Sequence, residues 1–159
     1  MKVLGIDPGT KVTGYGAVEK NRDGISSILY GEIKIGRGES CSASLQGIYD
    51  GLCRVVDDVR PDAIAIEDIF YGKNIKSLIK QGQARGVAIL IAPMRGIPIY
   101  EYTPLEIKKA VVGYGRAEKS QVQFMVRAIL NLTELPPADA ADALAVAICH
   151  AHFSKSEAL

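Results

Sequence analysis

Two short apolar runs, Val3-Leu4-Gly5-Ile6-Asp7 and Ala63-Ile64-Ala65-Ile66-Glu67, constrain this chain more than any other feature. Both are nearly continuous in apolar residues, as strands covered on both faces must be. Such strands need helices above and below their sheet, so the expected fold class is α/β. The rest of the chain supplies the layers. Val12 to Lys20 and Ser26 to Ile35 read as strands around the turn-forming Asn21-Arg22-Asp23-Gly24, completing an antiparallel meander with the first run. From Ser42 to Arg60, Leu45, Ile48, Tyr49, Leu52, Val55, Val56 and Val59 recur at helical spacing. Asn74 to Ala92 is a second helix, with Ile75, Leu78, Ile79, Gly82, Gly86 and Ile89 on one side. Pro98 to Tyr102 is a last short strand. Thr103-Pro104 then opens a helix with a cap residue and a first-position proline. Glu118 to Leu130 resumes helical spacing, and Pro136-Pro137 start an Ala-rich helix running to about Phe153. The expectation is a five-stranded mixed sheet flanked by helices, antiparallel over its first three strands and parallel at the last two. It forms one domain over residues 1–153, with a frayed tail at 154–159.

At 159 residues and 48% hydrophobic, the chain can bury one sizeable core. No basic-then-apolar leader is present, and the most apolar stretch, Gly86 to Met94, is far short of the roughly 20 residues a membrane span needs. Cys41, Cys53 and Cys149 are spaced like neither a disulfide framework nor a zinc site, and read as reduced core thiols of a cytosolic protein. The methionines are assigned to the core as well. Charge is unevenly placed. Residues 1–70 hold 8 Lys and Arg against 11 Asp and Glu, residues 71–127 hold 10 against 3, and residues 128–159 hold 1 against 4. Acidic ends thus bracket a basic middle, which can serve as a footprint for phosphate or simply as solvated helix faces.

The chemistry lies in acids where patterning calls for none. Asp7 and Glu67 each end a buried-type strand. A lone Asp there is ordinarily a cap or turn former, but two such strands sharing the feature fit that reading poorly. Asp139 and Asp142, three apart, project from one face of the final helix amid Ala138, Ala140, Ala141, Ala143, Ala145 and Ala147. Below Asp142 the stripe through Ala145 and Cys149 is apolar, which turns it inward. If that helix packs across the ends of the first and fourth strands, all four carboxylates converge. They would then repel one another and raise each other's pKa unless a cation neutralised them. An oxygen-only set selects hard ions, so Mg²⁺ or Mn²⁺, and two such ions are suited to phosphoryl displacement.

Five segments in order carry a resemblance: Gly5-Ile6-Asp7-Pro8-Gly9, Ala65-Ile66-Glu67, Gly82-Gln83-Ala84-Arg85-Gly86, the run from Gly113 to Val122, and the run from Ala138 to Ala145. With these the chain resembles the RuvC family of bacterial Holliday junction resolvases, within the ribonuclease-H-like superfamily, over residues 1 to about 153. The resemblance implies a ribonuclease-H-like fold and symmetric nicking of opposite strands at a four-way DNA junction, in recombination and repair. It places the family's metal-binding acids on Asp7, Glu67, Asp139 and Asp142, and implies Mg²⁺, or Mn²⁺ in its place, at two ions per subunit. Its basic residues for DNA contact and catalysis fall on Lys108 and Lys119, and its loop aromatic on Phe70. It further implies a homodimer and cooperation with a RuvA–RuvB branch-migration complex.

Lys73, Lys76 and Lys80, at three- and four-residue spacing, read either as a phosphate-facing stripe or as a solvated face, and Arg85 and Arg116 share both readings. Tyr71 joins Phe70 as a loop aromatic. His150 and His152 lie too far along the last helix to join the acids. Three other functions meet specific objections. An actin-like or sugar-kinase-like ATPase shares the opening hairpin but duplicates this domain. A junction-binding module without activity would have lost an acid, and all four are present. Cleavage of RNA–DNA hybrids shares the metal chemistry, but the basic middle and the RuvC-like segments weigh against it.

Overall fold

The structure, a computed structural model, describes residues 1–69 and 74–153. Its elements run β1 (Lys2–Asp7), β2 (Val12–Lys20), β3 (Ile25–Lys34), α1 (Cys41–Val59), β4 (Ala63–Glu67), α2 (Ile75–Met94), β5 (Ile99–Tyr102), α3 (Pro104–Val112), α4 (Lys119–Ile129) and α5 (Ala138–Phe153). The five strands form one mixed sheet in the order β3-β2-β1-β4-β5. β1 pairs antiparallel with β2 and parallel with β4, and β5 extends the parallel half.

Alternation along the two central strands divides the core. Leu4, Ile6, Ile64 and Ile66 point to one face, where they pack with Ile48, Leu52 and Ile91 of α1 and α2. Val3 and Ala65 point to the other, against Leu144 and Ile148 of α5, with Val126 of α4 beside them. Each fully buried Leu or Ile contributes roughly 1.5–3 kcal/mol from removal of its surface from water. Strand parity then fixes the face on which the strand-end acids lie. Val3, Gly5 and Asp7 share one side of β1, as Ala63, Ala65 and Glu67 share one side of β4. With Ile6 opposite Ile66 in register, Asp7 and Glu67 lie side by side at the strand ends, on the α5 face.

Glycine sets the distance of α5 from the sheet. A Cβ on Gly5 would collide with the Ala143 carbonyl, and one on Gly14 with the Asp139 carbonyl. The helix backbone therefore rests directly on β1 and β2, an approach that any larger residue at these positions prevents. Small side chains on the helix complete the fit, since Ala140, Ala143, Ala145 and Ala147 are all buried. At the start of α3, Thr103 and Glu106 form a reciprocal capping box with Pro104 inside it.

Two expectations are corrected. Cys149 is buried, but Cys53 is only partly so and Cys41 is exposed, because Cys41 opens α1 ahead of its apolar stripe. The methionines are not core residues either. Met94 and Met125 are exposed on the outer sides of α2 and α4, as is Met1 at the chain start. The second helix also runs to Met94, past the expected end at Ala92. Residues 154–159, expected as a tail, lie outside the described residues. Among the described residues, no helix is long and apolar enough to cross a membrane.

Candidate active site

The four acids singled out by patterning meet at one end of the sheet. Asp7 and Glu67 come from adjacent strand ends, and Asp139 and Asp142 from the first two turns of α5. Burial and the negative charges of Asp142, Glu67 and Asp139 raise the Asp7 pKa from 3.8 to about 7, against a smaller lowering by Lys119. Glu67 is raised too, by burial and by Asp142, while Lys119 and Lys108 pull it down. These are the marks of like charges crowded in a partly desolvated cleft.

Lys119 and Lys108 stand on the rim. The cleft between them is walled by Asp7, Glu67, Asp142, Lys108 and Lys119, with Gln81 of α2 opposite. Lys119 Nζ donates to Asp142 Oδ2 at 3.1 Å. Its own pKa is raised by the attraction of Asp142 and by this hydrogen bond. The ammonium thus performs locally what a bound cation would do, partial neutralisation of the acids. Among the described residues, no group of three or more His, Cys, Asp or Glu side chains is gathered tightly enough to hold a metal ion as it stands. The donor set, carboxylate oxygens alone, suits a hard divalent cation.

The remaining basic residues separate by geometry. Lys80 reaches the rim of a second cavity that also contains Asp7 and Asp139. Lys76 is exposed on the same helix, and Arg116 is exposed on the loop between α3 and α4. Arg85 turns inward instead of toward solvent. Its side chain is only 13% exposed, its Nη2 lies 2.9 Å from Glu101 Oε1 and 3.6 Å from Asp68 Oδ1, and its Nε donates to the Glu67 backbone carbonyl at 3.3 Å. That guanidinium ties α2 to the ends of β4 and β5, a different task from the phosphate contact expected of it. Phe70, Tyr71 and Lys73 lie outside the described residues.

Neither histidine joins the acids. His150 is buried, its Nδ1 2.8 Å from the Tyr102 hydroxyl, and burial lowers its pKa. His152 Nδ1 is 3.1 Å from the Ala110 carbonyl oxygen. Sequence reading missed Gln81, which borders three cavities around the acids. Its i, i+4 spacing from Ser77, one turn earlier on α2, was the available signal.

This geometry has close parallels. The family model for crossover junction endodeoxyribonuclease RuvC matches residues 3–150. The crossover junction endodeoxyribonuclease RuvC of Caldanaerobacter subterraneus subsp. tengcongensis is 53% identical over 153 residues, covering 96% of this chain and 93% of the relative. The structure of Thermus thermophilus RuvC superposes with a TM-score of 0.88 at 34% identity, covering 96% of this chain and 95% of that one. Thermus thermophilus RuvC in complex with a Holliday junction substrate gives a TM-score of 0.87 at 32% identity, with 96% and 94% covered. The fold is accordingly the ribonuclease-H-like fold of those structures. Matched over nearly its whole length in both sequence and backbone, the chain belongs to the RuvC family of crossover junction endodeoxyribonucleases.

Proposed function

We propose that this protein resolves four-way DNA junctions by nicking opposite strands through metal-dependent phosphodiester hydrolysis, in DNA recombination and repair. The observation that carries the reading is the crowding of Glu67, Asp139 and Asp142 around Asp7, beside a cleft with Lys108 and Lys119 at its rim. The family is one of metal-dependent nucleases, and Mg²⁺ or Mn²⁺, two per subunit, would be held by the four carboxylates. Bound there, divalent ions supply a lowered water pKa and charge to offset the leaving oxygen. The protein's own groups perform the rest. Lys108 and Lys119 meet the phosphate from the open side, and Lys119 can exchange Asp142 for a phosphate oxygen. Arg85 holds the Glu67 backbone in register, and the buried apolar faces of β1 and β4 keep the acid pair rigid. Phe70, three residues beyond the β4 end in sequence, is assigned to stacking on unpaired bases at the crossover, and Lys73, Lys76, Lys80 and Arg116 to arm contacts.

The test is incubation with a synthetic four-way junction, a linear duplex and an RNA–DNA hybrid, each with Mg²⁺. Paired, symmetric nicks confined to the junction are expected. Cutting of the hybrid with no cutting of the junction would remove this reading in favour of a hybrid-directed nuclease. In EDTA, Lys108→Ala and Lys119→Ala should each flatten the log–log salt dependence of junction binding by about one unit. An unchanged slope in both would place the phosphate contacts elsewhere.

Symmetric cutting needs two sites, and the outer face of α2 supports a homodimer. Ile75 and Ile79 are 72% and 57% exposed, Leu90 and Met94 are exposed beyond them, and among the described residues nothing lies within 4 Å of a Cβ placed on Gly82 or Gly86. These residues share a helical face, a self-complementary strip suited to a two-fold contact. Ile89, expected on this strip, packs inward instead. Because a side chain at Gly86 meets only open space within one subunit, Gly86→Arg should leave the fold intact and yield monomers in sedimentation. A fully dimeric variant would move the interface to another face. A cytoplasmic location and cooperation with a RuvA–RuvB complex complete the proposal, supported by family membership.

A further inference from the structure

A second cavity, of about 690 Å³, opens beside the acidic cleft between the β1–β2 turn, the β3–α1 loop and α2. Three cations line it: Lys11 from the turn, Arg37 from the loop and Lys80 from the helix. All three are exposed, and among the described residues none of the three side chains has a hydrogen-bond or ion-pair partner. Hydroxyls of Thr10 and Ser44 line the same walls, and the acidic side chain there is Glu39, whose Oε1 accepts from the Gly36 backbone N–H at 3.2 Å. Thr10, Lys11 and Lys80 also border the cavity holding Asp7 and Asp139, so the basic groove leads directly out of the catalytic cleft.

One amphipathic helix cannot produce this arrangement, because the cations come from three separate segments. Lys11 and Arg37 belong to the acidic first part of the chain and are otherwise isolated basic residues. Bringing three cations to one groove against the single acid Glu39 leaves a net positive charge and costs Coulomb energy that an anionic ligand recovers. Positive charge, flanking hydroxyls and an open path fit a polyanionic strand better than an apolar ligand.

The geometry points to this groove as a track for the phosphate backbone of the DNA arm leaving the cut site, held by Lys11, Arg37 and Lys80. The assignment rests on the junction-cleaving reading above and adds a contact surface on the opposite side of the acids from Lys108 and Lys119. The test is junction binding by gel shift across a salt series in EDTA, using wild type, Lys11→Ala/Arg37→Ala and Glu39→Gln. Loss of two phosphate contacts should flatten the log–log slope by about two units. Glu39→Gln keeps an acceptor for the Gly36 N–H while removing a charge that repels phosphate, so its binding should tighten a few-fold. A double variant with the wild-type slope, or a Glu39→Gln protein that binds no tighter, overturns the track. Wild type that neither binds nor nicks the junction overturns the underlying reading instead, and with it the track.

Discussion

Asp7→Asn is expected to lose junction cleavage by about three orders of magnitude or more while melting above wild type in EDTA at pH 8. The activity loss follows from removing the acid at the centre of the cluster, where several kcal/mol of transition-state stabilisation are at stake. The stability gain follows from the direction of its pKa displacement. The native carboxyl titrates at about 7 and the unfolded one at 3.8. Between those values the native state holds a proton that the unfolded chain has released, so wild-type stability falls as pH rises through that window and levels off above about 7. The full displacement corresponds to about 4 kcal/mol, and the cleft's open side reduces it to about 2 kcal/mol. Asn carries no charge and escapes this cost. Its advantage should be small near pH 4 and largest above pH 7, reaching about 4–8 °C for a chain of this size. Mg²⁺ should then stabilise wild type more than the variant, because a ligand bound only by the native state adds stability. Thermal melts at several pH values, with and without Mg²⁺, check each part. A variant less stable than wild type in EDTA at pH 8 would mean that Asp7 is a structural acceptor and no member of a repelling set.

Gly5→Val has the largest expected effect on the fold. Its Cβ would overlap the Ala143 carbonyl, which is helix backbone with no rotamer to adopt. Relief requires lifting α5 from β1, exposing Leu144 and Ile148 and withdrawing Asp139 and Asp142 from the cleft. A loss above about 4 kcal/mol is expected, with a fall of 10 °C or more in melting temperature or failure to fold. Gly82→Ala is the contrast. Its Cβ meets nothing, and replacing a helical glycine should stabilise by up to about 1 kcal/mol. Circular dichroism melts of both variants decide the matter; a Gly5→Val protein melting with wild type would contradict the direct seating of α5 on the sheet.

Much of this site was legible before the structure because apolar runs that end abruptly in acids are costly unless they do something. Asp7 and Glu67 each stood out at the end of a buried-type strand, and helical spacing joined Asp139 to Asp142, while the common face of the first pair came from the parallel register of β1 and β4. What the sequence could not convey was which face of α5 the glycines admit, since Gly5 and Gly14 look like ordinary strand residues until a helix lies on them. Arg85 reads as a basic surface residue because its partners, Asp68 and Glu101, are distant in the chain and meet only through the parallel pairing of β4 with β5. Cys41 and the methionines were misplaced for a simpler reason: residue type reports average burial, and a helix end or outer face overrides it. Lys11 and Arg37 gave no local signal because they are far apart in the chain and meet only where the β2–β3 pairing brings the hairpin's two open-end segments together.

Single-turnover cleavage of a synthetic four-way junction, mapped at nucleotide resolution for wild type and Asp142→Asn with Mg²⁺ or EDTA, bears most directly on the carboxylate cluster. Wild type with Mg²⁺ should give paired nicks at symmetry-related positions and none in EDTA, and Asp142→Asn should bind the junction with comparable affinity yet leave it uncut. Nicking that persists in EDTA, or that survives Asp142→Asn at more than a few per cent of the wild-type rate, would show that the four acids are not the hydrolytic centre.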